Sequence, residues 1–217
     1  MREASHIRLL TALQLVEERQ NGALILDTRR GEQFAAFHIR GSIHISLLGQ
    51  FAAWAAMLLD PRHALVLIAE DERHAREAHD RLTRVGLLHV FGYCLAIESE
   101  WQAHGFELAN IAIEHCKNIY GPNQQQAPVQ LIDVRSRAEW LKGHLPGAVS
   151  LPLLEIESNK RAIDPFTSSL IYCHEGFRAT TAASILLRER DGNIGILIDG
   201  IEGWLASGLP LEMPRAS

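Results

Sequence analysis

The residues best equipped for chemistry are Cys173 and its followers, within Leu170-Ile-Tyr-Cys-His-Glu-Gly-Phe-Arg-Ala-Thr-Thr-Ala-Ala183. Leu170 to Tyr172 is a continuous apolar run, the pattern of a parallel strand buried on both faces. Beyond the cysteine, Ala179, Ala182, Ala183, Leu186 and Leu187 recur at helical spacing, and Gly176 marks a tight turn between the two elements. A cysteine in that position faces the unpaired N–H groups of the turn and the positive end of a helix. Both favour thiolate over thiol, so Cys173 is expected to deprotonate more readily than a free cysteine. The same cradle can hold an anionic group over the sulfur, and Arg178 adds positive charge at its end. Most free cysteines are inert core residues. A place beyond the carboxyl end of a strand, where open α/β sheets bind ligands, argues instead for a reactive thiol.

The elements that must position this loop occur twice. Ala23-Leu-Ile-Leu-Asp-Thr-Arg29 returns as Gln130-Leu-Ile-Asp-Val-Arg135, and Phe37-His-Ile-Arg-Gly-Ser-Ile43 as Gly143-His-Leu-Pro-Gly-Ala-Val149. Asp27 and Asp133 lie 106 positions apart, as do His38 and His144. Ile97-Glu-Ser-Glu-Trp101 is echoed by Ile201-Glu-Gly-Trp204. Motifs in one order at a nearly constant offset mean duplication. Alternating apolar runs and helical patterns predict two α/β domains, each a mainly parallel sheet with helices on both faces. In the first, strands are expected at Ile7–Leu10, Ala23–Leu26, Ser42–Ile45, Ala64–Ile68 and His89–Phe91. Helices are expected from a Thr11 cap to Gln20, over Glu32–Ala36, Phe51–Leu59 and Arg73–Val85. The boundary is placed near Phe106, giving domains 1–105 and 106–217. Leu108 to Tyr120 reads as the second opening strand and helix, and Gly121 to Pro128 as an irregular loop. Cys116 reads as structural on the apolar side of that helix, and Cys94 as lying just past the last strand of the first domain.

Composition excludes several classes. An apolar fraction of 47% with 22% charged residues suits a globular domain, and a net charge of −5 gives no basis for binding nucleic acid or a membrane surface. No apolar run reaches the length of a membrane span, and the first residues lack the apolar core of a signal peptide. Three scattered cysteines make neither a disulfide framework nor a zinc ribbon, and the 11 histidines show no metal-binding spacing. A reduced, cytoplasmic setting without metal or organic cofactor is expected.

Taken together, Asp133-Val-Arg135, Glu139-Trp140, Gly143-His-Leu-Pro-Gly147, Cys173-x-x-Gly176-x-Arg178 and Asp199-Gly-Ile-Glu-Gly-Trp204 resemble the rhodanese (sulfurtransferase) family. The resemblance spans both repeats. It implies that Cys173 carries a persulfide between a donor and an acceptor, within a loop of His174, Glu175, Gly176, Phe177 and Arg178. The first repeat keeps the frame but places Ala69 at the cysteine position, followed by Glu70-Asp-Glu72 and no matching glycine. Alanine cannot form a persulfide, so the first domain is expected to be non-catalytic. A narrower likeness links Phe51 to Pro61 and the acidic turn to the rhodanese portion of fusions with metallo-β-lactamase-fold persulfide dioxygenases; no such hydrolase-like domain occurs in these residues.

The leading expectation is sulfurtransfer from thiosulfate or a low-molecular-weight or protein persulfide to an acceptor thiol or cyanide. A phosphatase or arsenate reductase on the same scaffold needs five residues between cysteine and arginine. Cys173 and Arg178 are separated by four. A persulfide relay serving a dedicated protein partner leaves no motif of its own and stays open. Glu175 is expected to offset the charge of Arg178, which would disfavour dianionic thiosulfate against an organic persulfide. Asp133, Arg135 and His144 read as structural, paired with each other or with nearby backbone, because Asp27, Arg29 and His38 persist where the cysteine is gone.

Overall fold

The computed structural model describes residues 7–119, 129–159, 161, 163–164, 166–188 and 193–214. The chain forms two compact units, Met1–Asn110 and Ile111–Ser217.

In the first unit, α1 (Ala12–Gln20) opens with a capping box in which the Thr11 hydroxyl accepts the Gln14 N–H and the Gln14 side chain accepts the Thr11 N–H. Such a cap is worth about 1 kcal/mol. The chain continues through β1 (Leu24–Asp27), α2 (Gly31–Ala36), β2 (His38–Ile39), β3 (Ile43–His44), α3 (Phe51–Leu58), β4 (Leu65–Ala69), α4 (Glu72–Arg84), β5 (Val90–Leu95), α5 (Glu98–Ala103) and β6 (Leu108–Ala109). Strands pair in parallel in the order β3-β1-β4-β5, and Leu9 adds a single parallel bridge to Tyr93 at the edge. The five residues of β4 are all buried, as a central strand covered on both faces requires. One apolar cluster contains Phe51, Ala75 and Leu82, and a second contains Leu15, Val66 and Trp101, so helices cover both faces of the sheet.

Three expectations change here. The expected strand at Ile7–Leu10 is reduced to the bridge at Leu9. The last strand runs to Leu95, so Cys94 is buried within β5 rather than beyond it. The first compact unit extends through Asn110, past the expected boundary near Phe106. Phe106 packs into the first core, and Leu108–Ala109 turns back to pair antiparallel with His38–Ile39. That pairing joins residues about seventy positions apart and has no local sequence signal.

The second unit runs β7 (Ala112–Glu114), α6 (Cys116–Ile119), β8 (Val129–Asp133), α7 (Arg137–Trp140), β9 (Val149–Ser150), α8 (Ile156–Asn159), β10 (Ser168–Tyr172), α9 (Phe177–Leu187), β11 (Ile194–Leu197) and α10 (Gly200–Ala206). Its sheet is wholly parallel in the order β7-β11-β10-β8-β9, the arrangement of the first unit with Leu9 in the place of β7. The opening strand and helix of this unit are therefore Ala112–Glu114 and Cys116–Ile119. The expected irregular loop at Gly121 to Pro128, and Tyr120 before it, lie outside the described residues.

Candidate active site

Register fixes which residues correspond between the units. Asp27 stands opposite Ile68 as Asp133 stands opposite Tyr172, so Ala69 and Cys173 occupy the same place at the carboxyl end of the central strand. Around them the frame is repeated almost atom for atom. Arg135 donates from Nε and Nη2 to the Asp133 carboxylate at 2.6–3.0 Å, and from Nη2 to the Gly143 carbonyl at 2.8 Å. Arg29 makes the same bonds to Asp27 at 2.7–3.1 Å and to the Phe37 carbonyl at 2.9 Å. Both pairs are buried, and removing one partner from such a pair costs about 3–5 kcal/mol. They bind the end of β1 or β8 to the following turn, as expected of structural residues. His144 differs from expectation in detail. Its backbone pairs with Glu212, its ring stacks on Trp140 with centroids 3.4 Å apart, and its Nδ1 has no hydrogen-bond partner among the described residues. His38 stacks on Phe34 in the same way at 4.0 Å.

The loops on this common frame diverge. In the first unit only Glu70 and Asp71 separate Ala69 from α4, and the Asp71 carboxylate caps that helix by accepting the His74 N–H at 2.7 Å. The second unit has one more residue, and Gly176 ends the turn with φ +85° as the N-cap of α9. A Cβ there would overlap the Ile198 carbonyl, so glycine is required both by conformation and by space. The resulting loop wraps the sulfur: backbone N–H groups of Ala179, Glu175 and Arg178 and the Arg178 charge all favour the thiolate.

Burial nevertheless overrides them. Cys173 is only 1% exposed, and the loss of hydration pushes its thiol up rather than down. The expectation of an easily ionised cysteine is therefore reversed for the closed loop, because desolvation outweighs the cradle.

The other loop residues are placed as follows. His174 and Glu175 are exposed, and the His174 ring lies 3.1 Å from Glu202. Phe177 is exposed at 36%, an apolar group at the rim. Arg178 is half-buried and does not stand free over the loop. Its Nη1 and Nη2 each donate to one oxygen of Glu139 at 2.7 Å. Glu139 also accepts the Ser136 N–H at 2.9 Å and hydroxyl at 2.7 Å, and the Arg178 guanidinium with these bonds holds its carboxyl down at about 2. The expected offset of Arg178 by Glu175 is thus supplied by Glu139. In the sequence Glu139 stands out only as part of a motif, with no signal that ties it to the Cys173 loop.

Two further residues support the loop from behind. The Ile201 N–H donates to the Cys173 carbonyl at 3.0 Å and the Glu202 N–H to the His174 carbonyl at 3.3 Å, both from the start of α10. Gly200, with φ +54°, lies so close that a Cβ would sit 2.7 Å from the Cys173 carbonyl oxygen. The remaining cysteines are also buried. Cys116 is fully buried, its thiol donates to the Gly200 carbonyl at 3.1 Å, and burial followed by the neighbouring Asp199 pushes it up to about 12. Burial also raises the Cys94 thiol.

The model of the rhodanese-like domain matches residues 11–98 and again 119–207. The chain belongs to the rhodanese family. It is a tandem member, with two rhodanese domains in one chain. A sulfurtransferase of Allochromatium vinosum (strain ATCC 17899) is 34% identical over 87 residues, which cover 40% of this rhodanese chain and 81% of that protein. A protein of Bacillus subtilis (strain 168) described as a putative sulfur carrier, YrkF, is 29% identical over 76 residues, 35% of this chain and 41% of its own length. Among solved structures, the thiosulfate sulfurtransferase of Pseudomonas aeruginosa aligns over 97% of this chain and 44% of its own, at 20% identity and a TM-score of 0.38. Among the described residues, no helix is long and apolar enough to cross a membrane.

Proposed function

We propose that the second rhodanese domain is a sulfurtransferase working through a persulfide on Cys173, with a small organic or protein persulfide preferred to thiosulfate as donor. The observation that carries this reading is the Cys173 sulfur at the end of β10, facing the N–H groups of Glu175, Arg178 and Ala179. The Cys173 thiolate attacks the outer sulfur of a donor R–S–SH. The donor S–S bond breaks, RS⁻ leaves with the bonding pair, and Cys173–S–SH remains. An acceptor thiolate then attacks the outer sulfur, forming R′–S–SH and returning Cys173 as thiolate. With thiosulfate the leaving group is sulfite, and the outer sulfur is left as Cys173–S–S⁻. The converging N–H groups would stabilise that anion, dividing one difficult transfer into two. The first domain, with Ala69 and the shorter acidic turn, is read as non-catalytic.

Mass spectrometry of the intact protein after brief treatment with glutathione persulfide or thiosulfate tests this directly. The expected result is one added sulfur, mapped to Cys173 and removed by excess thiol. Absence of that adduct with every small donor would overturn it. The burial of Cys173 favours a second reading, a relay loaded only by a protein partner that opens the loop. Loading of the isolated protein by the small persulfide would exclude that relay.

The count of four residues between Cys173 and Arg178 supports sulfurtransfer over phosphoryl transfer. Inserting one glycine between Gly176 and Phe177 would move the Arg178 and Ala179 N–H groups away from the sulfur. Sulfur transfer is expected to fall by roughly tenfold to a hundredfold, the usual effect of losing a positioned N–H donor at a developing charge. Donor turnover by the inserted variant checks this. Unchanged turnover would show that loop size does not set the reaction.

A further inference from the structure

The duplication provides an internal control for the site. Asp27, Arg29, His38 and the ring stacked on it are retained in the domain that lacks the cysteine, so they serve the frame. Gln33 occupies the position of Glu139, at the same offset of 106. It caps the turn in the same way, since the Arg30 N–H donates to Gln33 Oε1 at 2.9 Å, as the Ser136 N–H donates to Glu139 Oε2 at 2.9 Å. An uncharged amide is therefore enough to cap this turn. The negative charge of Glu139 is surplus to the fold, and it occurs only where a reactive cysteine occurs. Its two oxygens are aimed at both terminal nitrogens of Arg178.

We infer that Glu139 is a positioning residue that clamps and neutralises Arg178, and thereby sets the charge of donor that the Cys173 loop accepts. This inference rests on the sulfurtransfer reading of the same loop. Arg178 is the cation that acts on the Cys173 sulfur. Paired in both N–H directions with a carboxylate, it contributes little net positive field to an incoming group. A thiosulfate dianion gains least from such a site, whereas a singly charged or neutral organic persulfide loses little. The carboxyl of Glu139 is held near 2, so the neutralisation persists throughout the pH range of any activity measurement.

The test is Glu139→Gln, a residue the first domain already uses in this place. It keeps the cap and a hydrogen bond for Arg178 while removing the charge. The first readout needs no sulfur donor: the pH dependence of Cys173 alkylation by iodoacetamide, in a background lacking Cys94 and Cys116. Its midpoint is expected to fall by about one pH unit, as one unpaired charge near the sulfur would produce. The second readout is the ratio of kcat/KM for thiosulfate to that for glutathione persulfide, expected to rise roughly tenfold. In an Arg178→Gln background, Glu139→Gln should produce neither change, because the effect travels through Arg178. An unchanged alkylation midpoint in Glu139→Gln overturns the inference. So does an equal loss with both donors accompanied by a lower thermal midpoint, which would make the pair purely structural. A wild type that accepts sulfur from no donor overturns the sulfurtransfer reading instead, and a shifted alkylation midpoint in that case still establishes the coupling of Glu139 to the thiol.

Discussion

Cys173→Ser is expected to lower sulfur transfer by at least about a thousandfold while the protein stays folded. A serine hydroxyl has nearly the shape of the thiol but cannot accept a sulfane sulfur, so the first of the two transfers has no counterpart. The substituted residue is buried against loop N–H groups that can donate to an oxygen as well as to sulfur, which keeps the structural cost small. The matched control replaces both Cys94 and Cys116. Their thiols donate to the Leu95 and Gly200 carbonyls instead of facing the Glu175, Arg178 and Ala179 N–H groups that surround Cys173, so neither has a cradle for a developing thiolate or persulfide anion. Donor turnover should remain within a few-fold of wild type in the double variant, allowing for the lost Cys116 bond to the Gly200 carbonyl. Retained turnover in Cys173→Ser, with loss in the double variant, would move the active site elsewhere.

Gly200→Ala is expected to damage the site nearly as much without touching a reacting atom. A Cβ at this position would overlap the His174 carbonyl and stand 2.7 Å from that of Cys173, and the backbone φ of +54° is unfavourable for alanine in its own right. The loop and the start of α10 would have to separate, breaking the bonds from Ile201 and Glu202 that fix the Cys173 and His174 carbonyls. A displacement of about 1 Å at a reacting group commonly costs about a hundredfold in rate, and kcat/KM should fall by that order. Urea unfolding should show a loss of about 2–4 kcal/mol. Gly208→Ala separates the two causes. Its φ is +69° with no atom within 4 Å of the added carbon, so it carries conformational strain without a clash. A loss near ~1 kcal/mol with unchanged turnover is expected there. Equal effects of the two substitutions on turnover would mean that contact with the loop is irrelevant.

Much of this is legible in the residues because it is local or repeated. The strand–turn–helix around Cys173 announces itself through an apolar run, a glycine and a helical spacing, and the structure places β10, Gly176 and α9 accordingly. Thr11 announces the start of α1, and the structure adds Gln14 as the other half of a capping box. The duplication is visible because Asp27 and Asp133, with their arginines two residues on, recur at one offset, and each pair bonds within its own turn. The site is less completely legible. Proximity along the chain assigns the balancing charge to Glu175, yet the bond is made by Glu139, thirty-nine positions from Arg178.

By itself, then, the sequence determined the two-domain α/β plan, the loss of the thiol at Ala69 and the position and length of the Cys173 loop. These follow from periodicity, turn chemistry and repetition, which act over a few residues or recur in order along the chain. Tertiary structure alone decided four matters. It returned Leu108–Ala109 to the first domain by pairing with His38–Ile39, and brought Glu139 onto Arg178. It also set Gly200 against the Cys173 carbonyl and buried the thiol so deeply that its acidity fell instead of rising. Each depends on the packing of segments remote in sequence, and on the water that packing removes, so no local pattern encodes it.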